Sequence, residues 1–147
     1  MGHQRDPNLL FVFADQLRYH SCGYAGAETA HTPNMDAFSR EGLSFRQAVS
    51  VFPVCAPYRN SLFTGRYPTS TGMFDNGFRC MPDPSAIGYL LTQAGCRTGY
   101  IGKWHLMNGG REAYIPAGDT RLGFDQLWQA YNWNHDYFNG FYYQDTP

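Results

Sequence analysis

Alternating strand-like and helix-like segments predict an α/β fold with a largely parallel sheet flanked by helices. Three observations carry this expectation. Asn8 to Phe13, NLLFVF, is a continuous apolar run of strand length, the pattern of a parallel strand buried on both faces. Segments with helical spacing, opened by proline and closed by glycine, follow it. Polar clusters come where apolar runs give out, as they do in open α/β sheets, whose reacting groups gather at the carboxyl ends of strands.

The elements follow in order. The first strand ends at Ala14-Asp15-Gln16. Thr32-Pro33 offers a helix start with proline at the first helical position, Met35 and Phe38 lie three apart, and Gly42 is placed to stop the helix. Leu43 to Val51 is the second expected strand, and a helix from about Pro57 to Thr64 stops at Gly65, leaving Cys55 just before it. Ser85 is placed to cap a helix running through Ala94, and Arg97 to Gly102 predicts a strand leading into Lys103-Trp104-His105.

Bulk properties exclude several classes. At 147 residues and 43% hydrophobic, the chain can fill one core. Eleven Lys and Arg against twelve Asp and Glu leave a net charge of -1, which lacks the basic balance of a nucleic-acid binder. No apolar stretch approaches the roughly 20 residues of a membrane span, and the opening MGHQRDPN is no secretion signal, so the chain reads as cytoplasmic unless an upstream signal was trimmed. The cysteines at 22, 55, 80 and 96 form no C-x-x-C pair, which argues against a zinc ribbon or a dithiol site.

Asp15-Gln16, Cys55 and Lys103 with His105 therefore stand as candidates for one crevice. A helix beginning at Cys55 would aim backbone N–H groups and the positive dipole end at an anion, and Arg59, one turn on, would add a cation. Each has an ordinary alternative: inert packing for Cys55, a turn role for Asp15, a solvated pair for Lys103 and His105, and a brace against a carboxylate for Arg59. Cys22, Cys80 and Cys96 are assigned to structure, and His3, His20, His31 and His135 to no role. Gly102-Lys103 is no phosphate loop, because Arg97 occupies the place of its first glycine.

Cys55-Ala56-Pro57-Tyr58-Arg59, continued by Ser61-Leu62-Phe63-Thr64-Gly65-Arg66, resembles the C-x-P-x-R…TGR signature of type I sulfatases, members of the alkaline phosphatase superfamily. His31-Thr32-Pro33-Asn34 with Asp36, Arg40-Glu41-Gly42 and Gly102-Lys103-Trp104-His105-Leu106 resemble further family segments in the same order, so the resemblance spans about Asn8 to Asp125. It implies an alkaline-phosphatase-like fold and hydrolysis of a sulfate ester, of a small molecule or a glycan. It also implies that a formylglycine-generating enzyme converts Cys55 to formylglycine. A thiol attacks sulfate poorly, whereas an aldehyde hydrate carries one hydroxyl to attack sulfur and a second to expel the sulfate.

The same resemblance implies a divalent metal, calcium first and manganese or magnesium as alternatives, held by Asp15, Gln16 and the modified Cys55. Arg59 would hold the hydrate, Lys103 would neutralise charge, and His105 would take the second hydroxyl's proton. Gln16 departs from the family's usual second aspartate and resembles relatives that hydrolyse phosphonate monoesters or phosphodiesters, which sets that activity as the alternative. A non-catalytic binding module is the other. The expected domain is residues 1–147 as the N-terminal portion of a larger catalytic domain whose C-terminal half supplies the remaining ligands. The aromatic run from Phe124, with Trp128, Trp133, Tyr137 and Phe138 among its members, suits sugar stacking, or, as the preferred reading, packing against that half.

Overall fold

The computed structural model describes residues 7–26 and 29–145. Met1 to Asp6, where the reading of the opening segment and the unassigned His3 fall, lies outside the described residues, as do Ala27 and Glu28 and the two residues at the end. The chain forms two compact units, Met1–Ala48 and Val49–Pro147.

The first unit is built on helix α1, Pro33–Glu41, with Pro33 opening it and Gly42 closing it as the sequence predicts. Thr32 and Asp36 do the organising. The Thr32 hydroxyl accepts from Gly23 N at 2.8 Å and donates to Asp36 Oδ1 at 2.8 Å, while Asp36 Oδ1 also accepts from Tyr24 N at 2.8 Å. Two side chains one helical turn apart thus tie α1 to the 3-10 turn Gly23–Ala25. Gly23 is required there, because a Cβ would lie 2.5 Å from Asp36 Oδ2. The Asn8 to Phe13 run forms no strand, and Leu9, Leu10, Phe11 and Val12 are all exposed. Leu43 to Val51 likewise pairs with no strand among the described residues. A parallel strand buried on both faces exists only between neighbours that complete its hydrogen bonds, and among the described residues neither run joins the sheet.

The second unit holds the sheet. Strand β1, Gly99–Lys103, pairs in parallel with β2, Leu127–Tyr131, in the register Gly99 to Leu127 and Lys103 to Tyr131; β3, Tyr143–Asp145, pairs antiparallel with β2. The α/β expectation is met in a mixed sheet, with β1 and β2 parallel and β3 returning antiparallel to β2 over a connection that needs no crossover. Helix α2, Cys55–Thr64, starts two residues earlier than predicted and ends at Gly65, whose φ of 69° only glycine adopts easily. A short helix α3, Pro68–Thr71, follows, and α4, Ile87–Gln93, begins past Ser85, whose hydroxyl goes to Asp83 instead of capping.

Alternation in β2 turns Trp128 and Ala130 inward while Leu127 stays half exposed. Their partners form a compact aromatic cluster. Phe63 stacks on Trp104 at 5.2 Å, Tyr100 meets Trp104 edge-on at 4.9 Å and stacks on Trp128 at 5.5 Å, and Phe124 closes the group against Phe63 at 5.6 Å. Arg121 caps it, its guanidinium 4.5 Å from the Trp128 ring centre while donating to the Ile115 carbonyl. No helix among the described residues is long and apolar enough to cross a membrane.

Candidate functional site

The end of β1 and the start of α2 meet in the second unit. Val54, the residue before α2, has no side-chain oxygen to cap it, so the first-turn N–H groups need outside acceptors. Asn76 supplies one, its Oδ1 accepting from Ala56 N at 2.9 Å. Pro57 has no N–H to satisfy. The helix start consequently offers an anion fewer donors than the sequence reading expected, and the chemistry there depends on side chains.

Those side chains converge. Lys103 Nζ donates to Cys55 Sγ at 3.2 Å, across 48 residues of sequence. Arg59, one turn along α2, is buried, with Nη1 donating to the Tyr100 hydroxyl at 3.0 Å and to the Lys103 carbonyl. The Tyr100 hydroxyl itself donates to the same carbonyl. Arg59 thus braces the helix against a carbonyl and a phenol, and it locks the backbone from which the Lys103 ammonium reaches Cys55.

His105 follows two residues on and is 5% exposed; Lys103 is 9% exposed. Neither is the solvated strand-end residue of the ordinary alternative. Strand pairing continues past β1, with Trp104 N donating to the Tyr131 carbonyl at 2.8 Å and His105 N to the Asn132 carbonyl at 2.7 Å. His105 takes a left-handed φ of 53°. Among the described residues only Gln16, His105 and Leu122 do so without being glycine, and the sequence singled out the first two for chemistry. Strained backbone of this kind concentrates where a side chain must be aimed.

Asp15 and Gln16 belong to the first unit, where they form an exposed turn with Gln16 at φ 56°. Cys55, Arg59, Lys103 and His105 all belong to the second. No cluster of three or more His, Cys, Asp or Glu side chains suited to a metal occurs among the described residues. Cys22 and Cys80 are buried, Cys55 is half-buried and Cys96 is exposed, and none of the four is in a disulfide.

Sequence reasoning missed Asn76, Tyr100 and Asn132. The absent oxygen at Val54 signals that some acceptor must arrive, without saying which. Tyr100 and Asn132 gave no signal, since their contacts with Arg59 and with the His105 loop cross 41 and about 25 residues.

Comparison with known proteins places this geometry in context. The family model described as Sulfatase matches residues 7–146. An ulvan-active sulfatase of Formosa agariphila is 42% identical over 142 residues, which cover 96% of this chain and 27% of that protein. Arylsulfatase A of Bos taurus is 35% identical over 120 residues, covering 75% of this chain and 23% of that protein. The crystal structure of yidJ from Bacteroides fragilis superposes with a TM-score of 0.83 at 30% identity, covering 99% of this chain and 37% of the other. The chain spans about a quarter of the length of these curated relatives.

Proposed function

Because the chain belongs to the sulfatase family, with its alkaline-phosphatase-like fold, we propose that it serves the hydrolysis of sulfate esters, with Cys55 as the precursor of the nucleophile. One observation carries the reading: a lysine ammonium rests on the sulfur of a cysteine at a helix start, at 3.2 Å. A cysteine kept for packing has no use for a buried cation beside it.

Conversion of Cys55 to formylglycine supplies a hydrated aldehyde, with one hydroxyl to attack sulfur and another to expel the sulfate. The residues around it divide the remaining work. Lys103, on the present Sγ, is placed to offset negative charge that develops at that side chain or on the sulfate. Arg59 holds the Lys103 carbonyl and, through Tyr100, the alignment of β1 with α2. His105, buried and held by backbone pairing, is the base for the second hydroxyl's proton.

A divalent cation, calcium first, belongs to the same proposal. Asp15 and Gln16 fit it in kind, as adjacent oxygen donors in an exposed turn, and they are the residues of the first unit that would hold it. When bound it would polarise the sulfate oxygens.

A sulfated glycan is the substrate class we favour. The similarity to an ulvan-active sulfatase supports it, as does a TM-score of 0.71, at 30% identity and covering 85% of this chain and 23% of the other, to a solved structure holding its substrate D-glucosamine-2-N,6-O-disulfate. The deciding experiment co-produces the full-length protein with a formylglycine-generating enzyme and follows sulfate release from sulfated polysaccharides and an aryl sulfate, beside phosphate-ester and phosphonate controls. The tryptic peptide Gln47 to Arg59 should carry a hydrazide-reactive aldehyde, and Cys55→Ala should remove both that aldehyde and turnover. Full activity in the Cys55→Ala protein would sink the proposal, and faster phosphonate than sulfate cleavage would transfer it to the alternative ester class.

A further inference from the structure

We propose that Asn132 and Trp133, which follow β2, are positioning residues that clamp His105, a role that rests on His105 taking part in the ester chemistry above. The grip has a backbone part and a side-chain part. His105 N donates to the Asn132 carbonyl at 2.7 Å, and the imidazole lies against the Trp133 indole with ring centres 6.0 Å apart and planes 30° from parallel. Both also hold the loop that leaves His105. Asn132 Nδ2 donates to the Met107 carbonyl at 2.9 Å and the Gly110 carbonyl at 3.2 Å, and Trp133 Nε1 to the Gly109 carbonyl at 3.4 Å.

The need for a clamp lies in the backbone. A histidine with φ at 53° occupies a conformation that β-carbon sterics disfavour, so it persists only when contacts on several sides determine it. Asn132, with no exposed surface, and Trp133, half-buried, provide those contacts from a single dipeptide. The indole also screens the imidazole, which is 5% exposed. A proton-transfer group must be held within hydrogen-bond reach of the atom it serves, and a flat ring against a flat ring restrains that orientation.

Two measurements on the full-length protein test the clamp. Steady-state kinetics on an aryl sulfate compare the parent with Trp133→Ala and Trp133→Phe. The expected result is a fall in kcat of roughly tenfold or more in Trp133→Ala with KM within about twofold, largely restored in Trp133→Phe. The second measurement needs no turnover: diethyl pyrocarbonate labelling read on the tryptic peptide Trp104 to Arg111, in which His105 is the sole histidine. Labelling of His105 should be slow in the parent and in Trp133→Phe and several-fold faster in Trp133→Ala. If Trp133→Ala does not fold, Trp133→Leu takes its place, keeping bulk and losing the ring. Unchanged kcat and unchanged labelling in the ring-free variant would overturn the clamp, as would Trp133→Phe matching the ring-free variant in both. A parent with no sulfatase activity would remove the functional proposal, and the labelling comparison would still decide whether Trp133 holds His105.

Discussion

The Tyr100 hydroxyl accepts from Arg59 Nη1 at 3.0 Å and donates to the Lys103 carbonyl, so one phenol oxygen joins the helix that carries Cys55 to the strand that carries Lys103. Tyr100→Phe removes that oxygen and leaves the ring in its aromatic cluster. Because a buried guanidinium loses an acceptor, unfolding in urea should show a loss of about 1–2 kcal/mol, and sulfate release should fall as well. An unchanged midpoint would mean that Arg59 is satisfied without the Tyr100 hydroxyl.

Acid should weaken the turn that joins α3 to α4. Asp83 is held by the Ser85 hydroxyl at 2.6 Å, Ser85 N at 2.9 Å and Arg66 at 2.9 Å, which together lower its carboxyl from 3.8 to about 2. A carboxyl lowered by folding stabilises the protein above its unfolded value and ceases to do so as pH falls toward the folded one. Asp83→Asn should therefore lose on the order of 1 kcal/mol at neutral pH, modest because the Arg66 side chain is half in solvent. The gap between variant and parent should close as pH falls from about 4 toward 2. Urea titrations at several pH values would reveal it, and a gap independent of pH would contradict it.

The thiols should react in a definite order. Burial, reinforced by Asp83, pushes Cys80 up to about 11, and its Sγ donates to Asn60 Oδ1 at 2.9 Å. Cys96 is exposed. Iodoacetamide near neutral pH should label Cys96 quickly and leave Cys80 until the chain is denatured, as peptide mapping would record. Rapid native labelling of Cys80 would show that the cluster around Asn60 opens readily.

Gly88 and Gly123 sit where α4 crosses the loop after Asp119–Arg121. A Cβ on Gly88 would lie 2.3 Å from the Leu122 carbonyl, and one on Gly123 would lie 2.4 Å from Tyr89 N at a φ of 91°. Gly88→Ala should cost about 1–3 kcal/mol, since backbone rather than a flexible side chain must move. A melting temperature equal to the parent's would mean the loop shifts freely.

Helix ends were the most legible part of the sequence. Pro33 with Gly42, and Gly65, act through φ alone and need no distant partner. The early start of α2 was missed because Pro57 suggested a first helical position, whereas it occupies the third, where its missing N–H is equally harmless. β2 was hidden by composition: LWQAY alternates correctly, but its setting among aromatics suggested a packing surface. Asn8 to Phe13 shows the reverse failure, a strand-like run whose realisation depends on neighbours that local pattern does not supply. The pairing of Cys55 with Lys103 could be inferred from motif resemblance, but the Tyr100 contact beside it and the Asn132 contacts around His105 arise from tertiary packing.

Register, finally, acts here as a gate on chemistry. Tyr100 and Trp104 enter the aromatic cluster while Lys103, between them in sequence, sends its ammonium to Cys55, and the ladder from Gly99 opposite Leu127 to Lys103 opposite Tyr131 sets that assignment. A slip of one residue would drive a cation toward Phe63, Phe124 and Trp128 and leave the Trp104 indole facing the thiol. The cluster would reject such a chain on energetic grounds alone, since an unpaired charge among aromatics in a dry interior costs several kcal/mol. Misaligned molecules are thereby sorted out by their core, and a sheet that has closed at all has already loaded its lysine onto the right atom.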